Sequence, residues 1–395
     1  MDLQISALRL VDFRSYASFR LGDLGPLTIF VGPNGVGKSN LLEAIQLATA
    51  LSSFRSATSE QLIRWGADQA RIDVHLGSDQ RELDVSVLIG PHGRRYRLNG
   101  KAVQGATVQE NLPAVAFSPD DLQLVKGAPS ARRAALDALG AQLSANYRAV
   151  KRDYDKILRQ KNALLKSEAD AFYLESVNEV LAVVGAQLIR YRLHIFHELE
   201  REFPVQYRQA TESDERAALT YRLSWEPDAA GEVRAAVGVP PEDDAAASSG
   251  AASGGADADE LPSRAVLQQR LTQALADLLQ EERARKRALV GPHRDTLDFV
   301  LNGHAAQHFA SQGQQRSLAI AFKLAEFSLI ARKRKQKPVL LLDDVMSEID
   351  ATRRAGLMRW IGQATQTFIT TANLEYFSVD MLSDARVIHL PQQTG

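Results

Sequence analysis

Eight residues, GPNGVGKS from Gly32 to Ser39, limit what this chain can fold into more than any other stretch. An apolar run, LTIFV, leads into them, and LLEAIQLATAL (Leu41 to Leu51) leads away at helical spacing. The order strand, glycine-rich turn, helix is the context that a phosphate-binding loop requires. Gly32, Gly35 and Gly37 let the backbone, with Pro33, Asn34 and Val36 between them, curl around phosphate oxygens. Lys38 supplies a point charge for β- and γ-phosphates, and Ser39 a hydroxyl ligand for Mg²⁺. A chance glycine turn before a helix is the plain alternative, and it holds only if nothing downstream completes the site.

PVLLLDDVMSEID, Pro338 to Asp350, completes it. A buried strand over Val339 to Leu342 delivers Asp343 at its C-terminal end, where a carboxylate can hold the water shell of Mg²⁺. Asp344 follows at the catalytic position, placed to orient or deprotonate an attacking water. Either motif alone would pass for ordinary loop chemistry; together they predict a nucleoside triphosphate site. Neither a substrate-hydroxyl loop nor a guanine-reading motif accompanies them, which argues against a kinase or a simple GTPase.

The 395 residues suffice for one large α/β domain and a subdomain, and 45% hydrophobic with 24% charged residues is ordinary globular composition. There is no cysteine, which excludes disulfides, thiolate metal sites and a cysteine nucleophile, and suits a reducing cytoplasm. The opening MDLQISALRLVDFRSY carries charges throughout, unlike a signal peptide. No apolar run is read as reaching the roughly 20 residues that span a bilayer, so no membrane is expected as a partner. With a net charge of −1, contact with nucleic acid must rest on local basic patches.

Strands are expected at LRLVDF and LTIFVG, then at ARIDVHL, LDVSVLI and RRYRLNGKAV, the last turning at Asn99-Gly100 as a type I′ hairpin. From about Ser130 to Phe203 the pattern is helical without sustained heptads, so short packed helices are expected rather than a coiled coil. YRLSW (Tyr221 to Trp225) reads as a strand and Arg264 to Leu289 as helix. LDFVLNGHAAQ is a second Asn-Gly hairpin, and strand, helix, strand and strand follow it in PVLLLDD, SEIDATRRAGLMRWI, QTFITT and ARVIHL. Asp228 to Glu260 is almost all Ala, Gly, Ser and acid; it is read as a disordered acidic insertion on a surface loop.

SQGQQR remains. Ser311 stands where a helix N-cap should, and Leu318, Phe322, Ala325 and Leu329 follow at helical spacing. A phosphate loop, an S-x-G-x-Q helix start and LLLDD…SEID, in this order, resemble the ATP-binding-cassette ATPases. In those proteins the signature of one subunit closes on the γ-phosphate held by the other. The resemblance implies ATP and Mg²⁺ as cofactors and assigns Ser311, Gln312, Gly313, Gln314 and Gln315 to the ATP of a partner subunit.

FRSY (Phe13 to Tyr16), SPDDLQLVKGAPSARRAALD (Ser118 to Asp137), GPHRDT (Gly291 to Thr296), SQGQQR and LLLDDVMSEID together are similar to the bacterial RecF family. They depart from its pattern at Ala135, where an aromatic is usual, and at Ile349, where Leu is usual. The expected fold class is α/β: a P-loop NTPase of the ABC-ATPase head type with an antiparallel β flap and an inserted, mainly helical subdomain. Residues 1–130 and 290–395 would form the head and 131–289 the inserted subdomain. The resemblance implies an ATP-dependent homodimer that binds duplex and gapped DNA in recombinational repair, in the cytoplasm, with RecO and RecR as partners in placing RecA. It implies only weak, DNA-stimulated hydrolysis. Asp344 is one methylene shorter than the glutamate common in transporter ATPases, and Thr370-Thr371 stand where a switch histidine often sits.

For DNA, the helix around Lys151 to Lys166 is the first choice, with Lys151, Arg152, Arg159 and Lys161 as phosphate contacts; each basic cluster also reads as a solvated helix face. The competing class is the ATPase head of a different DNA-processing or defence complex. A nuclease would add clustered carboxylates or histidines, but the eight histidines are scattered. His293 within GPHRDT is read as structural or nucleotide-proximal.

Overall fold

The computed structural model describes residues 3–226 and 261–391, so the expected insertion at Asp228 to Glu260 lies outside the described residues. Contacts divide the chain into two units. The first comprises Met1–Gly127, Glu202–Glu215 and Ala310–Gly395; the second comprises Ala128–Arg201 and Arg216–Phe309.

The first unit is built on two sheets. One is antiparallel, with strands β1 (Gln4–Phe13), β2 (Tyr16–Leu21), β4 (Ala70–Ser78), β5 (Arg81–Gly90), β6 (Gly93–Leu98) and β7 (Lys101–Val103) in the order β2-β1-β4-β5-β6-β7. Alternation decides which face is inside: Leu8 and Leu10, Ile72, Val74 and Leu76, and Leu83, Val85, Val87 and Ile89 are all buried. Asn99 and Gly100 both take positive φ, as the I′ turn between β6 and β7 demands, and the Asn99 carboxamide oxygen accepts from the Asp84 amide at 2.8 Å.

The other sheet is wholly parallel: β3 (Leu27–Val31), β8 (Ala114–Phe117), β12 (Val339–Asp343), β13 (Gln366–Thr371) and β14 (Arg386–His389), in the order β14-β3-β13-β12-β8. Every residue of β8, β12 and β13 is buried, which is what covering both faces of a parallel sheet entails. Helix α1 (Lys38–Thr49) packs against β12 and β13 on one side and β4 and β5 on the other, so it lies between the sheets.

The second unit holds the helices Pro129–Leu143, α2 (Ala145–Lys166) and the start of α3 (Ala171–Thr211), which continues through Pro204 into the first unit. Its small sheet has β10 (Thr296–Leu301) between β9 (Ala217–Arg222) and β11 (His304–Ala305). The second Asn-Gly turn is again positive in φ at Asn302 and Gly303. β9 begins four residues earlier than YRLSW suggested, because Ala217, Leu219 and Tyr221 are its inward residues. The expected helix from Arg264 is two, Arg264–Asp277 and Leu279–Arg285.

Two of the motifs quoted above form the polar core of this unit. Buried Arg192 makes paired hydrogen bonds of 2.9 Å to both Asp137 oxygens and donates to the Pro292 carbonyl at 2.5 Å. Asp295 accepts from the Tyr221 hydroxyl at 2.6 Å and from the Ser224 amide at 2.9 Å. His293 shares a hydrogen bond of 2.7 Å with Tyr154, and burial lowers its pKa to about 3, so it is a neutral packing residue.

Contrary to the sequence expectation, among the described residues one helix is by length and composition long and apolar enough to cross a bilayer. It is α3, and 44% of its most apolar stretch is buried inside the protein.

Candidate nucleotide site and family

The parallel sheet sets the site. Because β13 lies between β3 and β12, the loop after β3 and the carboxylates after β12 meet across its end, with Phe30, Thr370 and Asp343 in one row. Gly32 is pressed against the Leu390 carbonyl, 2.4 Å from where a Cβ would stand. Gly37 has φ 105°, and a Cβ there would come within 2.9 Å of the Tyr16 hydroxyl and 3.0 Å of Ser15. The FRSY segment is thus the wall behind the loop.

Lys38, only 6% exposed, donates to the carbonyls of Gly32 at 2.7 Å and Pro33 at 3.0 Å, and reaches the Asn34 carboxamide oxygen at 3.4 Å. Burial lowers its pKa, and the charges of Asp344 and Asp343 oppose that shift. Asp343 is 5% exposed. Burial raises its pKa against hydrogen bonds from Ser39 and Thr370, the latter 2.8 Å from Oδ1, and against the charge of Arg55. Asp344 has φ 51°, a conformation held by its amide donating to the Thr370 hydroxyl at 2.9 Å and carbonyl at 3.2 Å. Its Oδ1 is buried and has no hydrogen-bond partner among the described residues.

A buried carboxylate with a raised pKa, a hydroxyl bonded to it and an orphaned carboxylate oxygen beside them all lack the same thing, a cation. The residues present fit Mg²⁺. Sequence reasoning passed over Arg55, which is exposed, donates to Asn40 at 3.0 Å and lies close enough to act on Asp343. Its only signal was a basic residue soon after the phosphate-loop helix.

Ser311 caps α4 (Gln312–Arg334), as expected, through a reciprocal box: its hydroxyl accepts from the Gln314 amide at 3.2 Å and its amide donates to the Gln314 side chain at 2.7 Å. Gln314 also donates to Glu215 at 2.5 Å, and the Gln315 side chain donates to the Ala310 carbonyl at 3.0 Å. A cavity of about 320 Å³ opens beside Gln312 and Gly313, bounded by Arg316, Glu348, Ile349, Asp350 and Arg353. Among the described residues, no hydrogen bond joins Ser311–Gln315 to Gly32–Ser39.

A family model described as "RecF/RecN/SMC N terminal domain" matches residues 4–391. The DNA replication and repair protein RecF of Lactobacillus johnsonii is 32% identical over 99% of this chain and 98% of its own length. The chain belongs to the RecF family. RecF of Geotalea uraniireducens is also 32% identical, over 98% of this chain and 100% of its own. A solved structure described as the recombination mediator protein RecF-ATP in the RecFOR pathway superposes with a TM-score of 0.78 at 26% identity, covering 95% of this chain and 94% of that one. The Smc head of Pyrococcus furiosus, at 16% identity and a TM-score of 0.50 over 98% and 93% of the two chains, shows the shared fold alone. The fold is therefore that of the RecF and SMC ATPase heads, as the motifs led one to expect.

Of the four cations chosen for RecF-like DNA contact, the structure removes one. Lys161 is fully buried and paired at 2.6 Å with Glu282, itself fully buried. It lies on the inward stripe of α2 with Tyr147, Tyr154 and Leu165, the four following one another at intervals of seven, seven and four residues. Lys151 is partly buried and engaged by Asp155 at 2.5 Å and Asp137 at 3.7 Å. Arg152 and Arg159 are exposed, and Lys156 and Lys166, which sequence reasoning did not choose, share their face. Lys161→Ala leaves Glu282 an unpaired buried charge, so stability should fall by about 3–5 kcal/mol in chemical denaturation. The salt dependence of DNA binding should not change; a shallower salt dependence with unchanged stability would return Lys161 to the DNA surface.

Proposed function

We propose that this chain is an ATP-dependent DNA-binding protein of recombinational repair and replication restart, dimerising around ATP on DNA near single-strand gaps. One observation carries the reading. Lys38, Ser39, Asp343 and Asp344 converge at one end of the parallel sheet, with a carboxylate oxygen of Asp344 buried and unpaired. Full-length kinship with RecF proteins, and the RecF-ATP structure among its neighbours, supports ATP as the nucleotide and recombinational repair as the setting.

In this reading Gly32 to Gly37 wrap the phosphates, and Lys38 leaves the loop carbonyls for the β- and γ-phosphates. Ser39 and Asp343 would hold Mg²⁺, which neutralises phosphate charge when bound. Asp344, fixed through its amide by Thr370, orients the attacking water. Its short side chain and the absence of a histidine at Thr370 or Thr371 favour slow, DNA-stimulated hydrolysis that times release. Gln312 and Gly313 present the amides at the start of α4, and the Ser311 hydroxyl, to the ATP of a second copy. Mg²⁺, the homodimer, gapped DNA, and RecO and RecR as helpers in placing RecA all belong to this proposal, as does a cytoplasmic location.

Lys38→Met should abolish tight ATP binding in a folded protein, and Ser311→Arg should spare ATP binding but block ATP-dependent dimerisation and turnover. Their heterodimer contains one site with both lesions and one with neither. Mixing the two inactive variants should therefore restore part of the ATPase activity. Loss of ATP binding by Ser311→Arg alone would instead assign this helix start to its own chain's nucleotide.

A further inference from the structure

We infer that the solvent face of the antiparallel sheet is a binding surface for the phosphate backbone of duplex DNA, formed by Arg9, Arg20, Arg71, Arg95 and Arg97. All five side chains are exposed. Each stands on a strand whose inward residues are sealed into the core: Leu8 and Leu10 around Arg9, Phe19 and Leu21 around Arg20, Ala70 and Ile72 around Arg71. On β6, Tyr96 packs against that core and Arg94 turns away to the Leu51 carbonyl, leaving Arg95 and Arg97 outward.

Register gathers them. Arg20 lies opposite Arg9, Arg9 opposite Asp73, Asp73 opposite Ser86, and Ser86 opposite Arg97. In the adjacent row Arg71 lies opposite Leu88, and Leu88 opposite Arg95. Neighbouring strands are about 4.8 Å apart, so from Arg20 to Arg97, four strands over, the array spans about 19 Å. Within it the one carboxylate is Asp73, already engaged by Arg71 at 2.8 Å and the Ser86 hydroxyl at 2.5 Å. Of the remaining outward acids of β5, Asp84 stands in the next row, beside His75 at 2.7 Å, and Glu82 stands one row further. Arg9, Arg20, Arg95 and Arg97 have no hydrogen bond or ion pair among the described residues.

A fold has no use for this arrangement. Like charges directly opposite one another destabilise a sheet, and Arg9 faces Arg20. Charges that guard a sheet edge belong on edge strands. Arg20 on β2 fits that role, but β1, β4 and β6 are interior strands. Free guanidinium groups of one sign over a broad surface call for a polyanion. Duplex DNA carries one phosphate charge for about every 1.7 Å of its axis and meets several such groups at once. The inward face of β4 and β5 rests on α1, whose first residue is Lys38. DNA held here would lie one sheet away from the nucleotide helix.

This inference rests on the DNA-binding reading, and the test separates the two. Duplex DNA binding is measured with ATP across a salt series for the wild type, for Arg9→Gln with Arg95→Gln and Arg97→Gln, and for Arg152→Gln with Arg159→Gln. The sheet variant should bind roughly tenfold or more weakly, and its plot of log affinity against log salt should be shallower by about one for each arginine removed. Its DNA-free ATPase activity should match the wild type, and its melting temperature should be no lower, since removing Arg9 relieves its repulsion with Arg20. Unchanged affinity and slope in a sheet variant, while the wild type binds DNA, would overturn this inference and leave the general reading intact. A wild type that does not bind duplex DNA at any salt would overturn both.

Discussion

A buried carboxylate at the end of a parallel strand is what the rest of the nucleotide site depends on. Asp343 is 5% exposed, and its burial is tolerable only because Ser39 and Thr370 both donate to it. That requirement ties three strands together. β13 must lie between β3 and β12 to supply Thr370, and the loop after β3 must turn back at once so that Ser39 arrives over Asp343. Hydrogen bonds only partly offset desolvation here, since the pKa of Asp343 remains raised. A divalent cation would remove the residual deficit, so these residues suit a metal–phosphate ligand.

Much of this was legible because the signals were local. The phosphate loop follows from eight consecutive residues, both Asn-Gly turns declare positive φ, and strict alternation in β4 and β5 gives the buried face. The failures were of a different kind. β8 is only AVAF, too short for any periodic signal, and it becomes a strand because β12 pairs with it. Lys161 was chosen for its charge, although it occupies the apolar stripe of its own helix; its partner Glu282 lies 121 residues away in sequence, where no local pattern reaches. The arginines of the flap were unremarkable along the chain, since β3, the phosphate loop and α1 separate β1 and β2 from β4 to β6 in sequence.

Family motifs and functional sites coincide only in part in this protein. FRSY, GPNGVGKS and LLLDD meet around the nucleotide position, whereas GPHRDT and the ARRAALD end of the Ser118–Asp137 block form the buried polar core of the second unit. Arg192, Asp137, Asp295 and Tyr221 leave few unpaired groups in that core, and such a network specifies one packing more sharply than an apolar core would. A motif shared across a family can therefore mark a fold requirement as readily as a reactive group. His293 is the case in point, neutral and bonded to Tyr154 in the core of the second unit.

In the function proposed above, a complete ATP site needs two copies of the chain, one giving Lys38 and Asp343 and the other the start of α4. Sedimentation velocity with no nucleotide, ADP, ATP and a non-hydrolysed ATP analogue tests it most directly, with bound nucleotide measured in each boundary. A monomer is expected with ADP or no nucleotide, and a dimer carrying two nucleotides with ATP or the analogue. A monomer that binds ATP stoichiometrically yet never dimerises at any protein concentration, with or without DNA, would contradict it.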